Sequence, residues 1–214
     1  MKRILSHLLA CCMVLSLCST LGAVPSSATG TPIAADELGA GSWTITATDS
    51  QGVSLKNTAD GPAISNLTNI IDGNLSTFSE GGASWDGSIM VSAMTGPVDF
   101  TINFGAATTI SGVRLYSRND NTAGSIKSWD ILVKFSGESD FTYLYSGQRS
   151  AYNAGDGSGV TKFGYNVTVE AVKVRVKSSF CGSTDCFLKE IAMLSSVGAG
   201  NYLTPNSTSP TKYP

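Results

Sequence analysis

Val98-Asp99-Phe100-Thr101-Ile102-Asn103-Phe104-Gly105 is the stretch on which the fold turns. Apolar side chains take every second position from Val98 to Phe104, polar ones fill the gaps, and a glycine ends the run. A two-residue period is that of a strand with one face in a core and the other toward water. Runs of the same kind occupy residues 43–48, 110–117, 128–135, 141–145, 167–176 and 188–194. The longest, 167–176, changes parity at Ala171-Val172, which predicts a bulge or two consecutive strands. Trp43 and Trp129 sit inside alternating runs and are expected in the core. No window carries a helical period, and the chain has no internal repeat. Strands spaced by Gly- and Asp-rich turns, without helices to carry parallel crossovers, predict an all-β protein of antiparallel sheets packed face to face as a β-sandwich.

The ends of the chain read differently. Met1-Lys2-Arg3 is a basic start, and Leu8 to Cys18 is an apolar run of signal-peptide length. Residues 1–28 are therefore expected to be a leader, with Ser26 and Ala28 forming a small-x-small cleavage site and Ala23 an earlier alternative. That run is too short to anchor the chain in a bilayer. Residues 29–40 lack periodicity and read as a linker to a domain at 41–196; the Ser-, Thr- and Pro-rich tail, 197–214, cannot bury a core. Export as a secreted, extracellular protein follows from the leader. It would also remove the only histidine, His7, and Cys11, Cys12 and Cys18, leaving Cys181 and Cys186. Losing Lys2 and Arg3 from 14 basic residues leaves 12 against 16 acidic ones, a net charge of −4. An acidic chain without a basic cluster is a poor ligand for nucleic acid or for an anionic membrane.

Asp72-Gly73-Asn74-Leu75-Ser76-Thr77 carries the densest chemistry. Gly73 permits a tight turn, and Asp72, Asn74 and Thr77 bring a carboxylate, a carbonyl and a hydroxyl to it. Such oxygens suit a hard cation, and Ca²⁺ accepts about six to eight of them. Six residues cannot fill that shell. Glu190, in the last apolar run, is the expected source of the missing charge, so the ion would tie the start of the domain to its finish.

The order of features resembles a known family. The loop Asp72-Gly73-Asn74-x-x-Thr77 comes first, then Ile102-Asn103-Phe104-Gly105, then Val113-Arg114-Leu115-Tyr116-Ser117-Arg118. A strand ending in a Ser-Gly turn follows, then Val172-Lys173-Val174-Arg175-Val176 and a last strand with Glu190-Ile191. This order is similar to that of the discoidin, or coagulation-factor C-type, domains and their relatives the family-32 carbohydrate-binding modules. The likeness spans about residues 43–194. It implies a galactose-binding-like jelly roll, a structural Ca²⁺ and a sugar site on the loops at one end. Asp72 and Glu190 would be the carboxylate ligands and Thr77 would give hydroxyl and carbonyl. Asn69, Asn74 and Lys189 would give main-chain carbonyls, Asn69 and Lys189 on the strength of the resemblance alone.

A sugar offers a face of C–H groups and an edge of hydroxyls, so its site needs an exposed aromatic ring and fixed planar hydrogen-bonding groups. Arg118 with Asn119 or Asn121 fits the polar grip that the family places after this strand. Trp85, in a Gly-rich early loop, and Phe180 or Phe187, in a late one, are the stacking candidates. Many galactose-binding members use a histidine, which the processed chain would lack, so the sugar need not be galactose. Cys181 and Cys186, in an exported protein, are expected to pair as a disulfide that stiffens the loop bearing Phe180 and Phe187.

The reading is thus a non-catalytic, lectin-like glycan-binding module, with a role in adhesion or glycan attachment. A phospholipid- or protein-binding discoidin-type adhesion domain is the alternative. An enzyme stands lower. Without histidine there is no Ser-His-Asp triad and no histidine-based zinc site, and no pairing of carboxylates for a glycosidase stands out.

Overall fold

The computed structural model describes residues 26–28, 32–49, 67–75, 89–92, 96–117, 125–153, 158–180, 185–195 and 202–203. The elements are β1 (Ser26–Ala28), β2 (Trp43–Asp49), a 3₁₀ turn (Leu67–Ile70), β3 (Ile89–Ser92), β4 (Val98–Ser117), β5 (Ile126–Lys134), β6 (Thr142–Gln148), β7 (Ser158–Ser179), β8 (Asp185–Leu194) and β9 (Tyr202–Leu203). Among the described residues these strands pair antiparallel except for the short β7–β9 pair, and an isolated bridge from Ser125 to Phe187 is also parallel.

The alternation of residues 98–104 becomes the first part of β4, with Val98, Phe100, Ile102 and Phe104 buried. Strand β4 does not stop at Gly105, as expected from the sequence, but runs on to Ser117. Gly105 has φ of 75°, a left-handed conformation open to glycine at no steric penalty, so the chain turns a corner there rather than ending. Strand β7 does the same around Gly164, with φ of 76°. Each of these long strands therefore serves two layers. In the first, residues 98–103 of β4 pair with 171–176 of β7, which extends outward through β5 to β6, while β4 extends through β2 to β1. In the second, residues 112–116 of β4 lie between 158–162 of β7 and β8, and β8 carries β3. The register jumps between Asn103 and Thr108 and again between Ile110 and Gly112, where the pair crosses from layer to layer. Strands that change sheets through such irregularities are how sandwich corners are made. The first jump lies just beyond the parity change at Ala171-Val172, where both residues are buried.

One apolar cluster fills the space between the layers. Ile45, Phe100, Ile102, Ile131, Val133 and Val174 come from the first layer; Val113, Leu115, Ile191 and Met193 come from the second. Trp43 and Trp129 belong to it, at 5% and 1% exposure. The fold is the antiparallel β-sandwich that the alternation predicts.

Three outer segments add to the sequence reading. Strand β1 lies within the expected leader and pairs with β2, so cleavage after Ala28 would remove it and cleavage after Ala23 would keep it. Residues 32–40, aperiodic and expected to link, are instead docked: Glu37 is buried and the Leu38 N–H donates to the Met193 carbonyl at 2.8 Å. Tyr202 and Leu203, in the tail expected to stand apart from the core, pair with Asn166 and Val167 of β7. No helix among the described residues is long and apolar enough to cross a membrane.

Candidate functional site

Ile70 and Ile71, each 1% exposed, root the Asp72 loop in the core. The Ile71 N–H donates to the Thr68 carbonyl at 3.0 Å, closing the 3₁₀ turn just before it. The chain then reverses through Gly73, whose φ of 73° a residue with a Cβ would adopt only under strain. The Asp72 carboxylate accepts from the Asn74 N–H at 2.9 Å, which fixes the loop locally. The Gly73 N–H donates to Glu190 Oε1 at 3.1 Å, across 117 residues of sequence. The Asp72 loop and Glu190 thus adjoin through a main-chain hydrogen bond.

Glu190 lies on β8 opposite Tyr116 of β4 and is 2% exposed. Burial pushes its carboxyl up to about 9; the Gly73 N–H works against that rise, and the charges of Asp72 and Glu37 add to it. Its Oε2 receives no hydrogen bond among the described residues. A buried carboxylate oxygen without a donor is unfavourable as an anion, and either a proton or a bound cation would relieve it. On that test the residues fit a hard cation. No group of three or more His, Cys, Asp or Glu side chains is poised for a metal among the described residues. A shell with two carboxylates would draw its remaining oxygens from hydroxyl and main-chain groups. Thr77 lies outside the described residues.

A second polar cluster, which sequence reasoning missed, adjoins the first. The Glu37 carboxylate is wholly buried. Its Oε2 accepts from the N–H groups of Ile33 at 3.0 Å and Ala34 at 2.9 Å. Its Oε1 accepts from Arg114 Nη1 at 2.5 Å and from the Tyr116 hydroxyl at 2.7 Å. Arg114 also grips the exposed Asp36 through both terminal nitrogens at 3.0 Å. That hydrogen bond holds the Asp36 carboxyl below its ordinary value of 3.8, so the pairing favours the folded chain above that pH and is lost as acid protonates Asp36. Burial first, then the hydrogen bond to Glu37, raises the Tyr116 hydroxyl to about 12. The signal in the sequence was slight: a charged residue on the outward parity of β4, with partners 77 and 78 residues away.

The sugar candidates divide. Arg118, Asn119, Asn121 and Trp85 lie outside the described residues, as does Cys181; Cys186 is placed only as a strand residue opposite Val91. Phe187 is 5% exposed and cannot be a platform. It was expected in a rim loop, but β8 begins at Asp185, so Phe187 is already within a strand. Its carbonyl accepts from Ser117 Oγ at 2.8 Å. Phe180 is half-buried, one residue beyond β7, and its N–H donates to the Ser125 carbonyl at 2.8 Å. Lys127 Nζ and Arg149 Cζ each lie 5.9 Å from its ring centroid, and the Tyr152 ring meets it edge-on at 6.5 Å. Arg149 donates to the Tyr152 carbonyl. This end of the sandwich thus presents a partly exposed ring beside the exposed Lys127, with the buried Arg149 beneath.

The sequence pattern of the F5/8 type C domain matches residues 44–188. The chain belongs to the F5/8 type C domain family. Its fold is likewise that of solved F5/8 type C and family-32 structures. An F5/8 type C domain from Bacteroides fragilis superposes with a TM-score of 0.52 at 13% identity, over 72% of this chain and 91% of that one. A family-32 carbohydrate-binding module from Clostridium perfringens, in complex with GalNAc-β-1,3-galactose, gives 0.50 at 16% identity, over 72% and 95%. The C-terminal domain of a chitobiase from Bacteroides fragilis gives 0.50 at 17% identity, over 76% and 100%. No curated protein matches the chain. The F5/8 type C assignment agrees with the motif order that first pointed to it, and the matched residues take in both the Asp72 loop and Phe180.

Proposed function

We propose that this F5/8 type C domain is a secreted, non-catalytic glycan-binding module whose loop end is held in shape by a calcium ion. The observation that carries the reading is the buried Glu190 carboxylate, one oxygen on the Gly73 N–H and the other without a donor among the described residues, beside the Asp72 loop. Asp72 and Glu190 would hold the ion by carboxylate, Thr77 by hydroxyl and carbonyl, and Asn69, Asn74 and Lys189 by main-chain carbonyls. Calcium, when bound, supplies the positive charge that lets Glu190 stay ionised while buried. The chain's own part is to set the Gly73 turn against β8 and so keep the neighbouring loops in place. Phe180 then covers the apolar face of a sugar while Lys127 and the Arg118 loop meet its hydroxyl edge. The fold it shares with a module crystallised on GalNAc-β-1,3-galactose supports a glycan as the ligand class.

The test is an array of galactose- and GalNAc-terminated glycans alongside other sugars, probed with the full chain in calcium and in EDTA. Binding in calcium that falls on chelation is expected. Phe180→Ala should weaken the best glycan about tenfold, the loss of roughly one stacking contact, with little change in melting temperature. A blank array together with sedimentation on phosphatidylserine vesicles would overturn the glycan reading in favour of a lipid-binding discoidin-type domain.

A further inference from the structure

The Glu190 compartment has a wall that belongs to neither the Asp72 loop nor β8. A cavity of about 10 Å³ lies there, lined by Gly73 and Ile71 on one side, Glu190 and Ala192 on another, and Glu37 and Leu38 on the third. That is room for about one water at most. The third wall is the segment 32–40, laid over the outward face of the second layer. It is fastened by Glu37 to Arg114 and Tyr116, by Asp36 to Arg114, and by the Leu38 N–H to Met193. The Ser195 N–H donates to the Asp36 carbonyl at 2.8 Å, so the fastening reaches both β4 and the end of β8.

We infer that residues 32–40 form a strap whose docking is energetically coupled to cation occupancy of the Glu190 compartment, with Arg114 as the positioning residue that latches it. The inference rests on the calcium reading above. The sign follows from geometry. A docked strap over an empty compartment seals Glu190 Oε2 away from water with no donor among the described residues. A released strap lets water reach it. A cation removes the penalty of sealing, so it favours docking, and by reciprocity docking tightens the cation. Glu37 already has its own donors and does not compete for the ion.

Two measurements on the full chain test this. The first is calcium titration calorimetry on wild type, Arg114→Met and Asp36→Asn. Arg114→Met should weaken calcium about tenfold, and the milder Asp36→Asn, at an exposed side chain, should weaken it less but measurably. The second uses wild type alone and a glutamate-specific protease, which cuts after Glu37 only when the strap is released. Calcium should slow that cut, read by mass spectrometry, by a factor comparable to the affinity lost on unlatching. Equal calcium affinity in all three proteins, or a cut at Glu37 indifferent to calcium in protein that binds the ion, overturns the coupling while leaving the calcium site standing. A wild-type chain that takes up no calcium at all overturns both.

Discussion

Glu190→Gln is expected to abolish any gain in melting temperature that the wild-type chain takes from calcium. At a calcium concentration about a hundred times the dissociation constant, binding to the folded state alone adds about 2.7 kcal/mol. For a domain of this size that corresponds to a shift of roughly 5–10 °C. The glutamine keeps an oxygen to accept from the Gly73 N–H at the position where Glu190 Oε1 now stands, and brings an amide in place of the oxygen that has no donor among the described residues. In EDTA the variant should therefore melt no lower than wild type, and in calcium it should fail to rise. Scanning calorimetry of both proteins in both buffers reads the result. A calcium-dependent rise that survives in Glu190→Gln would place the ion elsewhere and remove the support for the loop-to-strand tie.

Trp129 is the second residue whose change should be large, for reasons of packing alone. It is 1% exposed, and its Nε1 donates to Thr161 Oγ1 at 2.9 Å. Its ring lies over two glycines on neighbouring strands. A Cβ on Gly147 would stand 2.2 Å from Trp129 Cε2, and one on Gly159 would stand 2.2 Å from Cη2. Real contacts do not approach so closely, so the ring and the glycines are a matched set. Trp129→Ala should destabilise the fold by about 3–5 kcal/mol through the cavity it leaves and the stranded Thr161 hydroxyl. Gly159→Ala should cost about 1–3 kcal/mol through overpacking. The two changes touch the same space, so in a Trp129→Phe background the Gly159→Ala penalty should shrink. Urea unfolding monitored by circular dichroism measures all three. An unchanged Gly159→Ala penalty in that background would mean that the strand, not the indole, resists the methyl.

How much of this was legible beforehand depends on how far apart the interacting residues are and on how many of them repeat. Strand alternation is redundant, spread over seven residues from Val98 to Phe104, so it survives as a pattern. The tie from Gly73 to Glu190 is a hydrogen bond at a separation of 117. It was legible because the loop has more oxygens than charges and because the family order supplies a carboxylate late in the chain. The latch from Glu37 to Arg114 has neither aid. Asp36 and Glu37 sit in an aperiodic segment, and no spacing rule links them to one arginine on β4. Gly105 misled for a different reason: a glycine after an alternating run usually ends a strand, whereas here its left-handed φ lets the strand bend and continue. Phe187 misled because β8 starts two residues before it, and strand boundaries are weakly encoded near short loops.

That bend has a consequence for how the protein comes apart. Because β4 and β7 run without a break from one layer into the other, neither layer can peel away while its neighbour stays whole. The domain should melt, and yield under pulling, in one step with no half-open intermediate. A weakness introduced into either layer would then lower the stability of both, since the same two strands hold them together.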